Sequence, residues 1–380
     1  MSRPAKYART TTTQISAQQK VQQKEFLDRK INELSLDERQ VAINNPHIAQ
    51  VFVNNDNMAS STKKYHYNVG DMSKFLEIRA VSSVDFNNLD QKTYTRRNDE
   101  IKTTVHNGQR KLLLCEYEFL AKYSKPGDHI VYLGSSPGTH LLTLIPYFPN
   151  LNWVLIDPTN NVFSLQKPLP AGIDMKRVKI IKSYFTMDIG INLYNQLPNK
   201  KVLIISDIRS LEYGIDRENE DINTLSEAGL NDKEKYRNMS KEEKTKYLDD
   251  IVICDMNLQA MGVYLLKPRK SMLKFRLPYL PGKTKYFDGT ILFQIWAGET
   301  SSETRLIITD IPQIIEYDNS TYENILFNFN TVLRVTNYCP KHECLANTKL
   351  HDNVIKSPLI STCYCFDCMS ERYLANIFPR

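Results

Sequence analysis

No apolar run among these 380 residues approaches the ~20 needed to cross a bilayer as a helix. The opening stretch, MSRPAKYARTTTTQ, lacks the apolar segment of a secretory signal, so a soluble intracellular protein with no membrane partner is expected. Acid is missing at the start as well. None occurs before Glu25, whereas Arg3, Lys6, Arg9, Lys20 and Lys24 do, and residues 1–17 read as a disordered basic arm that is either a solvated tail or an RNA contact. Cysteine is sparse and uneven. Seven in a chain without a secretory signal argue against a disulfide framework. Cys115 and Cys254 sit in apolar helical patterns and read as core, while the other five crowd into the last 42 positions.

What is present supports a packed enzyme-sized fold. The hydrophobic content of 41% suffices for one large or two smaller domains. A net charge of +6 leans toward polyanions, but only the placement of the charges can give that weight.

The informative stretch is HIVYLGSSPGTHLLTLIPYFPNLNWVLID, from His129 to Asp157. A strand through Leu133 meets a turn at residues 134–138, where glycine can take positive φ and proline pre-sets the next φ. A helix follows from Thr139, then a second strand ending at Asp157. Strand, glycine turn, helix, strand, acid is how an α/β sheet presents a nucleotide-like ligand, the acid accepting ribose hydroxyls. The full G-x-G-x-x-G is missing, so an ordinary unliganded β-turn-α unit stays open.

Further strands are expected at 178–184, 201–207, 271–279, 289–296 and 304–310. Helices are expected at about 18–34, from Gly108 through Leu120, and from the capping box Ser240–Glu243 to about Met261. The fold class is α/β, a doubly wound, mostly parallel sheet with a late antiparallel hairpin. Residues 18–100 form an N-terminal extension, 101–335 the main domain with a charged insertion at 211–248, and 336–380 a Cys-rich segment.

Three charges stand where strands should be apolar: Asp207 ends one, Lys274 interrupts another, and Glu303 begins a third. Each alone reads as an edge or surface charge. Together with Lys111 they form a set that can tune a lysine, which near ~10.4 is a poor base. A second ammonium and a bound sulfonium would lower it, and a neutral lysine could then take a proton from an alcohol. In the tail, Cys339-Pro-Lys-His342-Glu-Cys344 and Cys363-Tyr-Cys365-Phe-Asp-Cys368 have the arithmetic of a structural zinc site. Cys339, Cys344, Cys365 and Cys368 are the preferred ligands, with Cys363 or His342 as substitutes and unliganded thiols as the alternative.

Six blocks, GQRKLLL at 108–114, VYLGSSPGTH at 131–140, LID at 155–157, ISDIRS at 205–210, LKFRLPY at 273–279 and SETRL at 302–306, resemble one family in order and context. It is the poxvirus cap-specific mRNA 2'-O-methyltransferase, which is also the small regulatory subunit of the viral poly(A) polymerase. The resemblance covers roughly 94–340, and the divergence between blocks suggests another large DNA virus. It implies a Rossmann-like methyltransferase sheet with one antiparallel strand and S-adenosylmethionine as cofactor. The partners would be capped mRNA and a poly(A) polymerase catalytic subunit, and the location the host cytoplasm and the virion.

The family's catalytic set falls on Lys111, Asp207, Lys274 and Glu303, with Lys274 as the implied general base. Cofactor contacts would fall on Gln109, Tyr132, Gly134, Gly138 and Asp157, with Phe185 against the adenine. Tyr94 and Tyr279 would stack the methylated guanine, and Asp318 would read its edge. Arg209, Arg276 and Arg305 would hold the RNA backbone beside Ser301 and Ser302. Thr159 replaces a family arginine next to the cofactor and Pro281 a cap-reading acid. Rival readings are a non-catalytic RNA-binding processivity subunit and a nicotinamide-dependent oxidoreductase.

Overall fold

A computed structural model describes residues 79–94, 108–165, 168–210, 227–297, 301–309, 312–334 and 366–377. The expected helix at 18–34 and most of the N-terminal extension lie outside the described residues. After a short strand β1 (Ala80–Ser82) and a helical turn α1 (Ser83–Phe86) comes the long helix α2 (Gly108–Tyr123). Then follow β2 (His129–Leu133), α3 (Leu141–Tyr147), β3 (Asn152–Ile156), α4 (Val162–Leu165), β4 (Val178–Ile181), α5 (Met187–Gln196) and β5 (Val202–Ser206). The charged insertion contributes α6 (Glu227–Asn238), which leads into α7 (Lys241–Leu266). The chain closes with β6 (Lys270–Phe275), β7 (Lys283–Phe287), β8 (Thr290–Leu292), β9 (Thr304–Thr309), β10 (Ile314–Asp318), α8 (Asn319–Asn328) and α9 (Phe366–Ile377).

Among the described residues, eight strands form one sheet in the order β1-β8-β9-β6-β5-β2-β3-β4. Strands β6, β5, β2, β3 and β4 are parallel, as the expected doubly wound class requires. The antiparallel side is wider than the resemblance implied. β9 pairs antiparallel with β6, β8 with β9, and β1 with β8. A separate antiparallel ribbon joins β7 and β10.

Parallel strands buried on both faces read as continuous apolar runs, and VLIIS in β5 is fully buried. Their period of two sends alternate side chains to opposite layers. Ile130, Tyr132, Leu203 and Ile205 pack with Leu113 and Tyr117 of α2 and Leu144 of α3. Val131, Leu133, Ile204 and Leu273 pack with Val252, Met256 and Val263 of α7 and with Ile325 of α8. α7 starts where expected, with Ser240 and Glu243 exchanging both capping-box bonds. It runs on to Leu266 and closes at Lys267, whose φ of 45° ends the helix without glycine.

α9 packs on the same core through Phe366, Met369 and Leu374. Asp367 and Arg334, both fully buried, pair at 3.0 Å, and Asp367 also accepts the Trp296 N–H at 3.0 Å. A second buried pair, Arg79 with Glu118, fastens β1 to α2, and Arg79 also donates to Ser370 of α9 at 3.1 Å.

A candidate active site at the strand ends

Parallel strands bring the C-terminal ends of β2, β3, β5 and β6 to one edge of the sheet. Because β9 runs antiparallel to β6, its first residues arrive at that same edge, with Phe275 opposite Thr304 and Lys274 opposite Arg305. Asp207 just past β5, Lys274 near the end of β6 and Glu303 just before β9 therefore converge, and Lys111 joins them from the first turn of α2. A cation at a helix N-terminus meets the positive end of the helix dipole, which favours a carboxylate partner there. Lys111 Nζ has one, 2.7 Å from Glu303 Oε1. Lys274 Nζ lies 3.4 Å from Asp207 Oδ1 and 3.5 Å from Glu303 Oε2. Arg305 donates to Asp207 Oδ1 at 2.8 Å and to the Ser206 carbonyl at 3.0 Å. Gln294 donates to Glu303 Oε1 at 3.1 Å. The four residues expected to act together thus share one patch.

Burial works against every charge in that patch. At Glu303, Lys111, Lys274 and Arg305 outweigh it and hold the carboxyl well below the usual range. At Asp207, Lys274 and Arg305 outweigh burial and the neighbouring Glu303, so this carboxyl is lowered too. At Lys274 burial favours the neutral amine, but Asp207 and Glu303 outweigh it and hold the ammonium above the ordinary lysine range, with Arg305 and Arg209 opposing. The sequence reading expected a lowered lysine. In the protein alone the acids win.

Gly134 has φ 78°, and a Cβ there would lie 2.7 Å from the Ile208 amide nitrogen. Gly138 has φ 65°, and its Cβ would lie 2.6 Å from the Ser135 carbonyl. Both glycines are thus required by the chain's own backbone, and Gly134 seats the turn directly on the segment that carries Asp207. Asp157, half-buried at the end of β3, accepts from Ser136 N at 3.1 Å, Thr159 N at 2.9 Å and Thr159 Oγ1 at 2.7 Å. Thr159, where the resemblance expects an arginine, turns back on the acid.

Other expected cofactor residues lie differently. Gln109 Oε1 accepts from Thr139 Oγ1 at 2.6 Å and sits 3.1 Å from His140 Nδ1. His140 Nε2 lies 2.9 Å from Glu116, to which the buried Tyr132 hydroxyl donates at 2.6 Å. Tyr132, Glu116 and His140 form a buried network behind the turn, with Gln109 and Thr139 half-buried at its rim, and the Tyr132 hydroxyl is engaged by Glu116. The Phe185 ring is buried, and Cβ atoms at Gly190 and Gly262 would come within 3.2 and 3.5 Å of it. It is wedged between α5 and α7 and does not lie open for a flat contact with adenine.

A cleft opens beside Lys274 and Glu303, lined by Arg209, Arg276 and the α7 residues Ile251 and Asp255. The Arg276 guanidinium lies 5.0 Å from the centre of the Tyr279 ring, a cation–π distance. Ser302 donates to the Tyr279 hydroxyl at 2.8 Å, and Ser301 Oγ accepts the Glu303 N–H at 3.3 Å. Tyr94 stands edge-on to Phe327 of α8 at 5.2 Å, and its N–H bonds Asn324 at 3.1 Å. Asp318 caps α8 by accepting the Thr321 N–H at 2.7 Å, a bond that lowers its carboxyl. Arg305 departs from its expected role on RNA. It is 1% exposed and spent on Asp207 and Ser206, inside the sheet.

Cys339, Cys344 and Cys365 lie outside the described residues, and Cys368 falls in α9. Among the described residues no group of three or more His, Cys, Asp or Glu could hold a metal.

Several site residues escaped the sequence reading. Asp255 accepts the Ser210 N–H at 2.9 Å, Gln259 donates to the Lys274 carbonyl at 3.0 Å, and Asp249 accepts from Tyr279 N and Leu280 N, each at 2.8 Å. The available signal was their spacing on the apolar face of α7, interleaved with Val252, Met256 and Val263.

Residues 82–233 match the family model described as "Poly A polymerase regulatory subunit". Two myxoma virus proteins, strains Lausanne and Uriarra, each named "Cap-specific mRNA (nucleoside-2'-O-)-methyltransferase", are 30% identical over 62% of this chain and 64% of their own length. The chain thus spans just under two thirds of the length of these relatives. A fowlpox virus protein of the same name is 28% identical over 70% of this chain and 81% of its own. The resemblance read from the six blocks is borne out. A solved structure of bluetongue virus VP4, titled a multifunctional RNA-capping production line, aligns with a TM-score of 0.36 at 10% identity. It covers 64% of this chain and 36% of that one, and a likeness so loose carries no functional argument.

Proposed function

We propose, from the likeness to the myxoma and fowlpox cap-specific methyltransferases, that the chain moves a methyl group from S-adenosylmethionine to capped RNA. The acceptor is the 2'-hydroxyl of the first transcribed nucleotide. The observation that carries this reading is the shared patch of Lys111, Asp207, Lys274 and Glu303, with Lys274 Nζ within 3.5 Å of both acids.

The residues around the glycine turn fit the methyl donor. Asp157 is half-buried at the strand end and accepts three bonds, whereas a carboxylate offers about four acceptor sites. One remains for a ribose hydroxyl. The 134–138 turn, Asp157 and the Gln109 side of α2 would hold the group. When bound, S-adenosylmethionine would supply an electrophilic methyl and a positive charge on sulfur, the sulfur–methyl bond breaking with its electron pair left on the departing neutral thioether.

The chain's own residues do the rest. Asp207 and Glu303 hold the Lys274 amine at the cleft, and Lys111 and Arg305 hold the acids. Added positive charge beside Lys274 weakens its hold on a proton, which it gives up to solvent. The neutral amine then takes the proton of the ribose hydroxyl as that oxygen forms its bond to carbon, and the new ammonium rests on Asp207 and Glu303. Arg209 and Arg276 line the cleft and offer guanidinium groups to phosphates.

A second reading, an RNA-binding processivity subunit of a poly(A) polymerase, is favoured by the family-model description, and both roles can coexist. An oxidoreductase is disfavoured because hydride transfer has no use for the lysine–acid set. A structural zinc on Cys339, Cys344, Cys365 and Cys368 rests on spacing alone, and less than half an equivalent in purified protein excludes it. The function is tested with labelled S-adenosylmethionine and two short capped RNAs, one already 2'-O-methylated at its first nucleotide. Label is expected only on the unmodified RNA. Equal labelling of both, or of neither, refutes the reading.

A further inference from the structure

Between the end of β6 at Phe275 and the start of β7 at Lys283 the chain leaves the sheet, yet it carries Arg276 and Tyr279. Backbone N–H groups in such a segment need partners from elsewhere. One carboxylate on α7 supplies two. Asp249 accepts the Tyr279 N–H on Oδ1 and the Leu280 N–H on Oδ2, each at 2.8 Å, and it is only 3% exposed. From the other side, Asn319 of α8 donates its side-chain N–H to the Leu280 carbonyl at 3.1 Å and its backbone N–H to Gly282 at 2.9 Å. The Tyr279 hydroxyl accepts from Ser302, the neighbour of Glu303. Tyr279 is therefore held at its backbone by α7 and at its tip by the segment that bears Glu303.

We infer that Asp249 is a positioning residue for substrate, fixing Tyr279 and, through its ring, the Arg276 that lines the cleft where the capped end of the RNA is held. This rests on the methyltransferase reading and adds a residue that it does not contain. Burying a carboxylate is costly, and burial raises this one against the two backbone bonds that lower it. A hydrophobic residue would pack against Leu248 and Val252 without that cost. What it could not do is fix two successive amides in one geometry. Asp249, Asp255 and Gln259 share a face of α7, each bonded to the backbone of a different site segment. Of the three, Asp249 alone holds the segment with the aromatic ring.

The test is steady-state methyl transfer to a short capped RNA by wild type, Asp249→Ala and Asp249→Asn. For Asp249→Ala the KM for RNA is expected to rise at least tenfold, with kcat within threefold and the KM for S-adenosylmethionine within twofold. Asp249→Asn, which keeps the shape and one acceptor oxygen, should fall between. Amide exchange of residues 277–282 gives a second measurement, expected to speed up about tenfold in Asp249→Asn, and this holds even if Asp249→Ala fails to fold. Unchanged RNA KM and unchanged exchange in the Asn variant overturn the inference alone, given active wild type. So does an equal loss in kcat and in both KM values. A wild-type protein that transfers no methyl group overturns the inference together with the reading beneath it.

Discussion

For the proposed methyl transfer Lys274 poses the chemical problem, because the acids that hold the amine also hold its proton. Glu303 raises the Lys274 pKa, so making it neutral removes part of that raise. Glu303→Gln is therefore expected to move the rising alkaline limb of the rate–pH profile to lower pH, alongside a lower maximal rate from the loosened Lys111. Initial rates across pH check this, and a limb that stays or moves upward contradicts it. Gly134→Ala strains a φ of 78° and drives a Cβ to 2.7 Å from backbone, so a loss of at least ~1–3 kcal/mol is expected in urea unfolding. Lys274 was legible in the sequence because a charge inside Met272-Leu273-Lys274-Phe275 breaks an apolar run. Arg305 was misread as an RNA contact because its burial depends on β5 and β6 lying beside it. Asp249 was masked by its neighbour Asp250 and the charges of the first α7 turns, and only its spacing from Val252, Met256 and Val263 set it apart.

Helices α7 and α9 show what can and cannot be read at the level of elements. The α7 start was legible, because a capping box is a local pattern. Its end was not, since Lys267 takes a left-handed conformation with no glycine to announce it. The short strands β1 and β10 were invisible for a related reason. Ala80 pairs with Leu292 and Ile314 with Phe287, partners supplied from far along the chain. The Cys-rich segment drew attention to metal, while its helix α9 is tied to the core by the Arg334–Asp367 pair. Asp367→Ala would remove the carboxylate that faces the buried Arg334 guanidinium, at an expected cost of about 3–5 kcal/mol. Denaturant unfolding measures it, and a change below 1 kcal/mol would mean that α9 contributes little to the fold.

Over the whole molecule, five parallel strands place the glycine turn, Asp157 and Asp207 on one edge, and the antiparallel return of β9 adds Glu303 beside Lys274. The parallel half was legible from alternating apolar runs and helices. The antiparallel half was legible only in part, because three strands of three to six residues look alike until their partners are known. That half also delivers Glu303, so the fold and the chemistry depend on the same connection.

The most direct measurement is methyl transfer from labelled S-adenosylmethionine to a short capped RNA, comparing wild type with Lys274→Ala and locating the product methyl by mass spectrometry. The expected result is a methyl on the first nucleotide's ribose and a rate about 10²–10⁴-fold lower in the variant, the usual worth of a positioned general base. Equal rates in the two proteins, or a methyl on a base instead of the ribose, would contradict the account.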